Sequence, residues 1–129
     1  VLINLDFESS EPIYQQLVFQ IIEGIARKDF RPGEALPSVR SLASDIGINL
    51  HTVNKAYQQL KLEGFIQIHR QKGVVINPDG VPKADERYKQ QLEKNLRPLI
   101  AESICRDYGE EEFLLLCKMI YKNYQGGRT

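Results

Sequence analysis

His51, Thr52, Asn54, Lys55, Gln58 and Lys61 lie close together in the chain, interleaved with the apolar Val53, Ala56, Tyr57 and Leu60. If the segment is a helix, the apolar four share its inner face and the polar six point outward. Those six are types that hydrogen-bond base edges and phosphate oxygens. Thr52 and Asn54 suit either, His51 sits early enough to reach either, and Lys55 and Lys61 carry the charge that phosphate attracts. Arg40 offers a guanidinium fork for a phosphate or a base. A second polar cluster, Arg70-Gln71-Lys72-Gly73, ends in a glycine that lets a backbone come close to a neighbour. The plainer alternatives are a solvated helix face, a surface ion pair for Arg40 and an exposed turn at 70–73. The elements that carry these residues bear on the choice.

Apolar residues fall at 39, 42, 43 and 46, and again at 53, 56, 57 and 60. Each set has the i, i+3, i+4, i+7 spacing of one buried helix face. Ser38 and Asn49 stand where caps are needed, and Gly47 stops the first of the two helices. Two short helices joined by so tight a turn have few common uses other than reading DNA, with the first turns of the second helix facing the bases. Ser38 and Asn49 join the candidate contacts on this account.

Upstream, Pro12 opens a helix with the stripe Tyr14, Leu17, Val18, Ile21 and Ile25, ending near Lys28. A Pro32-Gly33 turn and a short extended piece, Glu34-Ala35-Leu36, lead into Ser38. Downstream, Gly64 ends the second helix of the pair. Phe65–His69 and Val74–Ile76 then read as two strands of a hairpin whose tip is the basic cluster. Such a wing can lie in or beside the minor groove through Arg70, Lys72 and Gly73.

Beyond a turn-rich linker at 78–83 the character changes. Residues 84–108 suit a long helix carrying Tyr88, Leu92, Leu96, Leu99, Ile100 and Ile104 on one side, kinked near Pro98. Gly109 breaks it. Glu110-Glu111-Glu112 then places negative charge in the first turn of a last helix bearing Phe113, Leu114, Leu116, Cys117, Ile120 and Tyr124, with a loose end at 126–129. Two amphipathic helices cannot build a sealed core alone, so Tyr88, Leu92, Leu96, Leu99, Ile100, Ile104, Phe113, Leu116 and Ile120 are expected to pack on a second copy. Packing back on the chain's own first domain is the alternative.

Composition narrows the function classes. The chain has 129 residues, 42% of them apolar, and no apolar run long enough to span a membrane. It shows no secretory pattern, so a cytoplasmic protein is expected. Net charge is zero, yet residues 27–72 hold eight Lys or Arg against four Asp or Glu, while residues 1–26 hold four acids and no base. A local basic face on a neutral chain suits site-specific DNA binding better than a nonspecific polycation does. Cys105 and Cys117 lack metal or redox spacing and read as half-buried thiols. No glycine-rich phosphate loop and no nucleophile–base pair is visible, so neither an enzyme nor a cofactor or metal is expected.

Several runs together carry a resemblance. They are Pro12-Ile13-Tyr14-Gln15-Gln16-Leu17, Arg31-Pro32-Gly33-Glu34-Ala35-Leu36-Pro37-Ser38-Val39-Arg40, Leu42-Ala43, Asn49 through Tyr57, and Leu62-Glu63-Gly64-Phe65. Over residues 12–76 the chain resembles the N-terminal domain of GntR-family transcriptional regulators, and its short tail is similar to that of the YtrA-type subfamily. The resemblance implies a bacterial regulator, in the first instance a repressor, bound as a homodimer to a palindromic double-stranded DNA operator. It places Arg40, the first turns of the recognition helix and Gly73 against DNA. Some members carry arginines where this chain has Leu50 and Asn54, so their operator sequences do not transfer. The places open to a small-molecule effector are the dimer helices and the junction of tail and winged domain, but no residue set points to one.

The expected fold is therefore mainly α with a small antiparallel β wing. Residues 1–77 form a winged helix-turn-helix, 78–83 a linker and 84–129 a helical dimerisation tail. The rival is a winged-helix protein–protein module without DNA binding, which calls for a more apolar outer face.

Overall fold

The computed structural model describes residues 3–125, so the expectation of a loose end at 126–129 lies outside the described residues. The elements run α1 (Ile13–Ala26), β1 (Ala35–Leu36), α2 (Val39–Ile46), α3 (Leu50–Leu62), β2 (Ile66–His69), β3 (Gly73–Ile76), α4 (Glu86–Cys105) and α5 (Glu110–Gln125). They form two compact units that meet between Pro82 and Lys83. No described helix is long and apolar enough to cross a membrane.

In the first unit the predicted stripes are the core. Leu17, Val18 and Ile21 of α1, Leu42 and Ala43 of α2, and Val53, Ala56, Tyr57 and Leu60 of α3 are buried together with Leu36, Ile66, Val74 and Ile76. Tyr14, Ile25, Val39 and Ile46 pack at its margin. Both caps form as expected: Ser38 Oγ accepts from the Ser41 N–H at 3.1 Å and Asn49 Oδ1 from the His51 N–H at 2.7 Å. Gly47 closes α2 in the left-handed conformation. The first helix ends at Ala26, two residues short of the expected Lys28, because Lys28 itself turns left-handed, with φ 66°.

The wing is larger than a hairpin. β1 joins it, giving a three-stranded antiparallel sheet in the order β1-β3-β2, with Leu36 opposite Val74 and Ile68 also opposite Val74 from the other side. The extended piece before α2 is thus a strand pinned to the wing.

The chain ahead of α1 is also pinned. Gln16 Oε1 accepts from the Asp6 N–H at 2.8 Å while its Nε2 donates to the Asp6 carbonyl at 3.0 Å, and Gln20 clips both backbone groups of Asn4 in the same way. Each glutamine replaces two backbone bonds that a neighbouring strand would otherwise supply.

The start of the segment expected as a linker, 78–83, folds back on the first unit. The Asn77 N–H donates to the Phe65 carbonyl at 3.0 Å, its Nδ2 donates to the Gly64 carbonyl at 2.9 Å, and Asp79 and Gly80 turn back onto Asn77. Gly64 has φ 85°, and a Cβ there would stand 2.8 Å from the Pro82 ring.

In the second unit, Asp85 Oδ1 caps α4 by accepting from the Tyr88 N–H at 2.8 Å, and α4 runs through Pro98 as one helix. Gly109 then starts α5. The Glu112 side chain reaches back to the Gly109 N–H at 3.1 Å, half of a capping box, and the acidic first turn of Glu110, Glu111 and Glu112 suits the helix dipole. Neither helix fully buries a described side chain.

Gly64→Ala should lose about 1–3 kcal/mol of stability, because it forces a left-handed alanine against the Pro82 ring. A urea denaturation midpoint unchanged from wild type would show that the Pro82 contact and the backbone angle at residue 64 do not constrain the fold.

Candidate nucleic-acid interface

The outer side of α3 follows from its inner side. Val53, Ala56, Tyr57 and Leu60 are each 0% exposed, so the opposite stripe is His51, Lys55, Gln58 and Leu62, with Asn54 and Lys61 on one flank and Thr52 on the other. All are exposed except Thr52, which is half-buried. Leu62, 87% exposed, is the one apolar member of the stripe and the sequence reading missed it.

The first turns of α2 and α3 are held by capping. Ser38 and Asn49 stay exposed, but their oxygens are committed to the helix N-termini, which leaves the Ser38 hydroxyl hydrogen and the Asn49 amide hydrogens as donors to an outside acceptor. The two residues therefore act first as scaffold. Arg40 is exposed on the first turn of α2.

Two tyrosines connect this surface to its supports, and neither was legible as such in the sequence. The Lys55 ammonium lies 3.9 Å from the centroid of the Tyr14 ring, on the first turn of α1, a distance at which the ring quadrupole attracts the cation. That fixes one rotamer of a side chain that would otherwise sweep freely. On the buried side, the Tyr57 hydroxyl donates to the Pro37 carbonyl at 2.8 Å. Burial pushes the Tyr57 phenol well above its ordinary value, so it stays a donor throughout the physiological pH range.

The wing tip places Arg70, Gln71, Lys72 and Gly73 in solvent. Gly73 begins β3 opposite His69 with φ 75°, an angle that suits glycine, and open space surrounds its Cα. His69 Nε2 and Gln67 Oε1 are 2.9 Å apart on β2. Among the described residues no carboxylate forms an ion pair with Arg40, Lys55, Lys61, Arg70 or Lys72. Their charge faces outward uncompensated. Among the described residues, too, no group of His, Cys, Asp or Glu is disposed to hold a metal ion.

The predicted tail residues are brought to the surface, not to a core. Tyr88, Leu92, Leu99, Ile100, Ile104, Leu116 and Ile120 are exposed, while Leu96 and Phe113 are half-buried. Leu114, Leu115, Met119 and Tyr121 are exposed as well, which makes α5 apolar around most of its circumference. Cys117 is half-buried as expected. Cys105 is exposed instead.

A helix-turn-helix capped at both helices, with its outer face polar and a basic three-stranded wing beside it, defines a winged-helix DNA-binding protein. Residues 11–76 match the model of the bacterial regulatory proteins of the gntR family, and the chain belongs to that family. It is 33% identical over 127 residues to the HTH-type transcriptional repressor YtrA of Bacillus subtilis (strain 168), covering 98% of both chains. Among solved structures it is similar to YtrA from Sulfolobus acidocaldarius, a GntR-family transcription factor, with a TM-score of 0.64 and 39% identity over 78% of this chain and 99% of that one. A transcriptional antiterminator from Listeria monocytogenes EGD-e matches with a TM-score of 0.88 at 27% identity, over 96% of this chain and 92% of that one. The chain is thus a DNA-binding transcriptional regulator of the short-tailed YtrA type, and not an enzyme.

Asn49→Ala should cost about 1 kcal/mol through loss of the cap alone, read as a lower melting temperature without DNA. An unchanged melting temperature would mean that Asn49 is not the scaffold residue its 2.7 Å bond makes it.

Proposed function

We propose that this chain is a cytoplasmic repressor that binds a palindromic operator as a homodimer. The observation that carries the reading is the uncompensated cationic and polar surface shared by Arg40, the outer stripe of α3 and the wing tip. On this reading residues 1–77 read the DNA. His51, Thr52, Asn54 and Gln58 meet base edges. Ser38, Arg40, Asn49, Lys55, Arg70 and Lys72 meet phosphates, with Gly73 letting the wing backbone approach. The polar character of the outer stripe speaks against a protein-docking module, which would present a more apolar face.

Residues 84–129 hold the dimer. A helix apolar on nearly every side is stable in water only when several neighbours cover it, and no described α5 side chain is buried, Phe113, Cys117 and Tyr124 being only half-buried. A second copy supplies them, and two-fold symmetry in the protein then calls for two-fold symmetry in the operator.

Capture of genomic fragments on the purified chain, followed by sequencing, should return a short inverted repeat. On that fragment Arg40→Ala and Thr52→Ala should each weaken binding by roughly 1–3 kcal/mol, tenfold or more, in a mobility-shift titration at moderate salt. Binding left intact by both substitutions would overturn the assignment of this surface.

Sedimentation should give a dimer. Ile120→Asp should convert it to monomer and weaken operator binding severely, because each half-site then binds alone. A wild-type chain that sediments as a monomer while still binding the repeat would overturn the dimer.

A further inference from the structure

The joint between β1 and α2 is a single residue wide on the side that faces α3. Pro37 follows Leu36, the last residue of β1, and precedes Ser38, the cap of α2. It has no N–H of its own. Among the described residues the only donor to its carbonyl is the Tyr57 hydroxyl, 2.8 Å away and twenty residues on in sequence. The Tyr57 ring is 0% exposed, and Pro37 is half-buried.

Three parts of the proposed DNA surface meet at this joint. Arg40 lies three residues beyond Pro37, on the first turn of α2. Leu36 is registered on Val74, the neighbour of Gly73 at the wing tip. Tyr57 itself belongs to the recognition helix, its ring on the face opposite His51 and Gln58. A shift of Pro37 therefore moves Arg40 and loads the wing at once, while α3 stays where the core holds it.

We propose that the Tyr57 hydroxyl is a positioning residue for operator binding, setting where Arg40 and the wing stand relative to the recognition helix. The inference rests on the operator-binding reading above. The ring alone would fill the core equally well as phenylalanine, so the hydroxyl's part is directional. It ties α3 to one carbonyl, and its loss leaves that half-buried carbonyl without this donor.

The test uses the full chain and the operator fragment recovered from the genomic selection, with Tyr57→Phe, Arg40→Ala and the double variant. Affinity is titrated over a range of salt, at a temperature where circular dichroism shows every variant folded. Tyr57→Phe is expected to weaken binding by about three- to tenfold and to lower the salt slope by about one, as Arg40→Ala does. The double variant is expected to fall no more than about twofold below Arg40→Ala alone, since the two substitutions remove the same contact. A structural role in folding would lower the melting temperature but move neither the salt slope nor this coupling.

Wild-type affinity and slope in folded Tyr57→Phe, or losses that simply add, would overturn the inference and leave the operator reading standing. A wild-type chain that captures no fragment overturns both. Should Tyr57→Phe melt too low, an osmolyte restores the folded population before titration. Hydrogen exchange of the Ser41 and Leu42 amides then reads the joint directly: selectively faster exchange supports the inference, and unchanged exchange overturns it.

Discussion

The burial of one face of α3 is the constraint on which the first unit depends. Val53, Ala56, Tyr57 and Leu60 are wholly removed from water, and α1, α2 and β2 all pack on this helix. A helix sealed on one side can turn only its other side outward, so the same four side chains that build the core aim His51, Lys55 and Gln58 at solvent. Fully burying such side chains contributes roughly 1.5–3 kcal/mol each for the larger ones, far more than any exposed ion pair on the surface they support. The reading surface is rigid because its reverse is the core.

Around that helix the devices are local and polar. Ser38 and Asn49 satisfy helix N-termini, Gln16 and Gln20 clip the leading segment to α1, and Asn77 satisfies Gly64 where α3 gives way to β2. Each solves the same problem, a backbone group with no partner in regular structure. At Ser38 and Asn49 the oxygen serves the fold, and the remaining side-chain hydrogens stay free to donate outward.

The helices were legible in the sequence because a 3.6-residue period repeats over several turns and is closed by caps. Every residue expected inside α3 is inside. The third strand was not legible, since Ala35 and Leu36 are too short to show a period and their partner is the distant β3. Composition marked 78–83 as turn-rich, but Pro, Asp and Gly signal a turn without saying whether it is pinned. At the candidate DNA surface the residue types were readable. The Lys55–Tyr14 stacking and the Tyr57–Pro37 bond were not, because each joins residues far apart in sequence through a side chain whose other role, core or solvent, was already accounted for.

The apolar girth of α5 bears on the life of the chain as well as on its assembly. A newly made copy carries Leu114, Leu115, Met119, Ile120 and Tyr121 bare to water, the kind of surface that chaperones and proteases recognise in unfinished proteins. Whatever covers that helix does so by mass action. The fraction of copies with α5 bare therefore rises as association weakens or the chain is diluted. The surface that invites a partner is also the one that exposes a copy left alone.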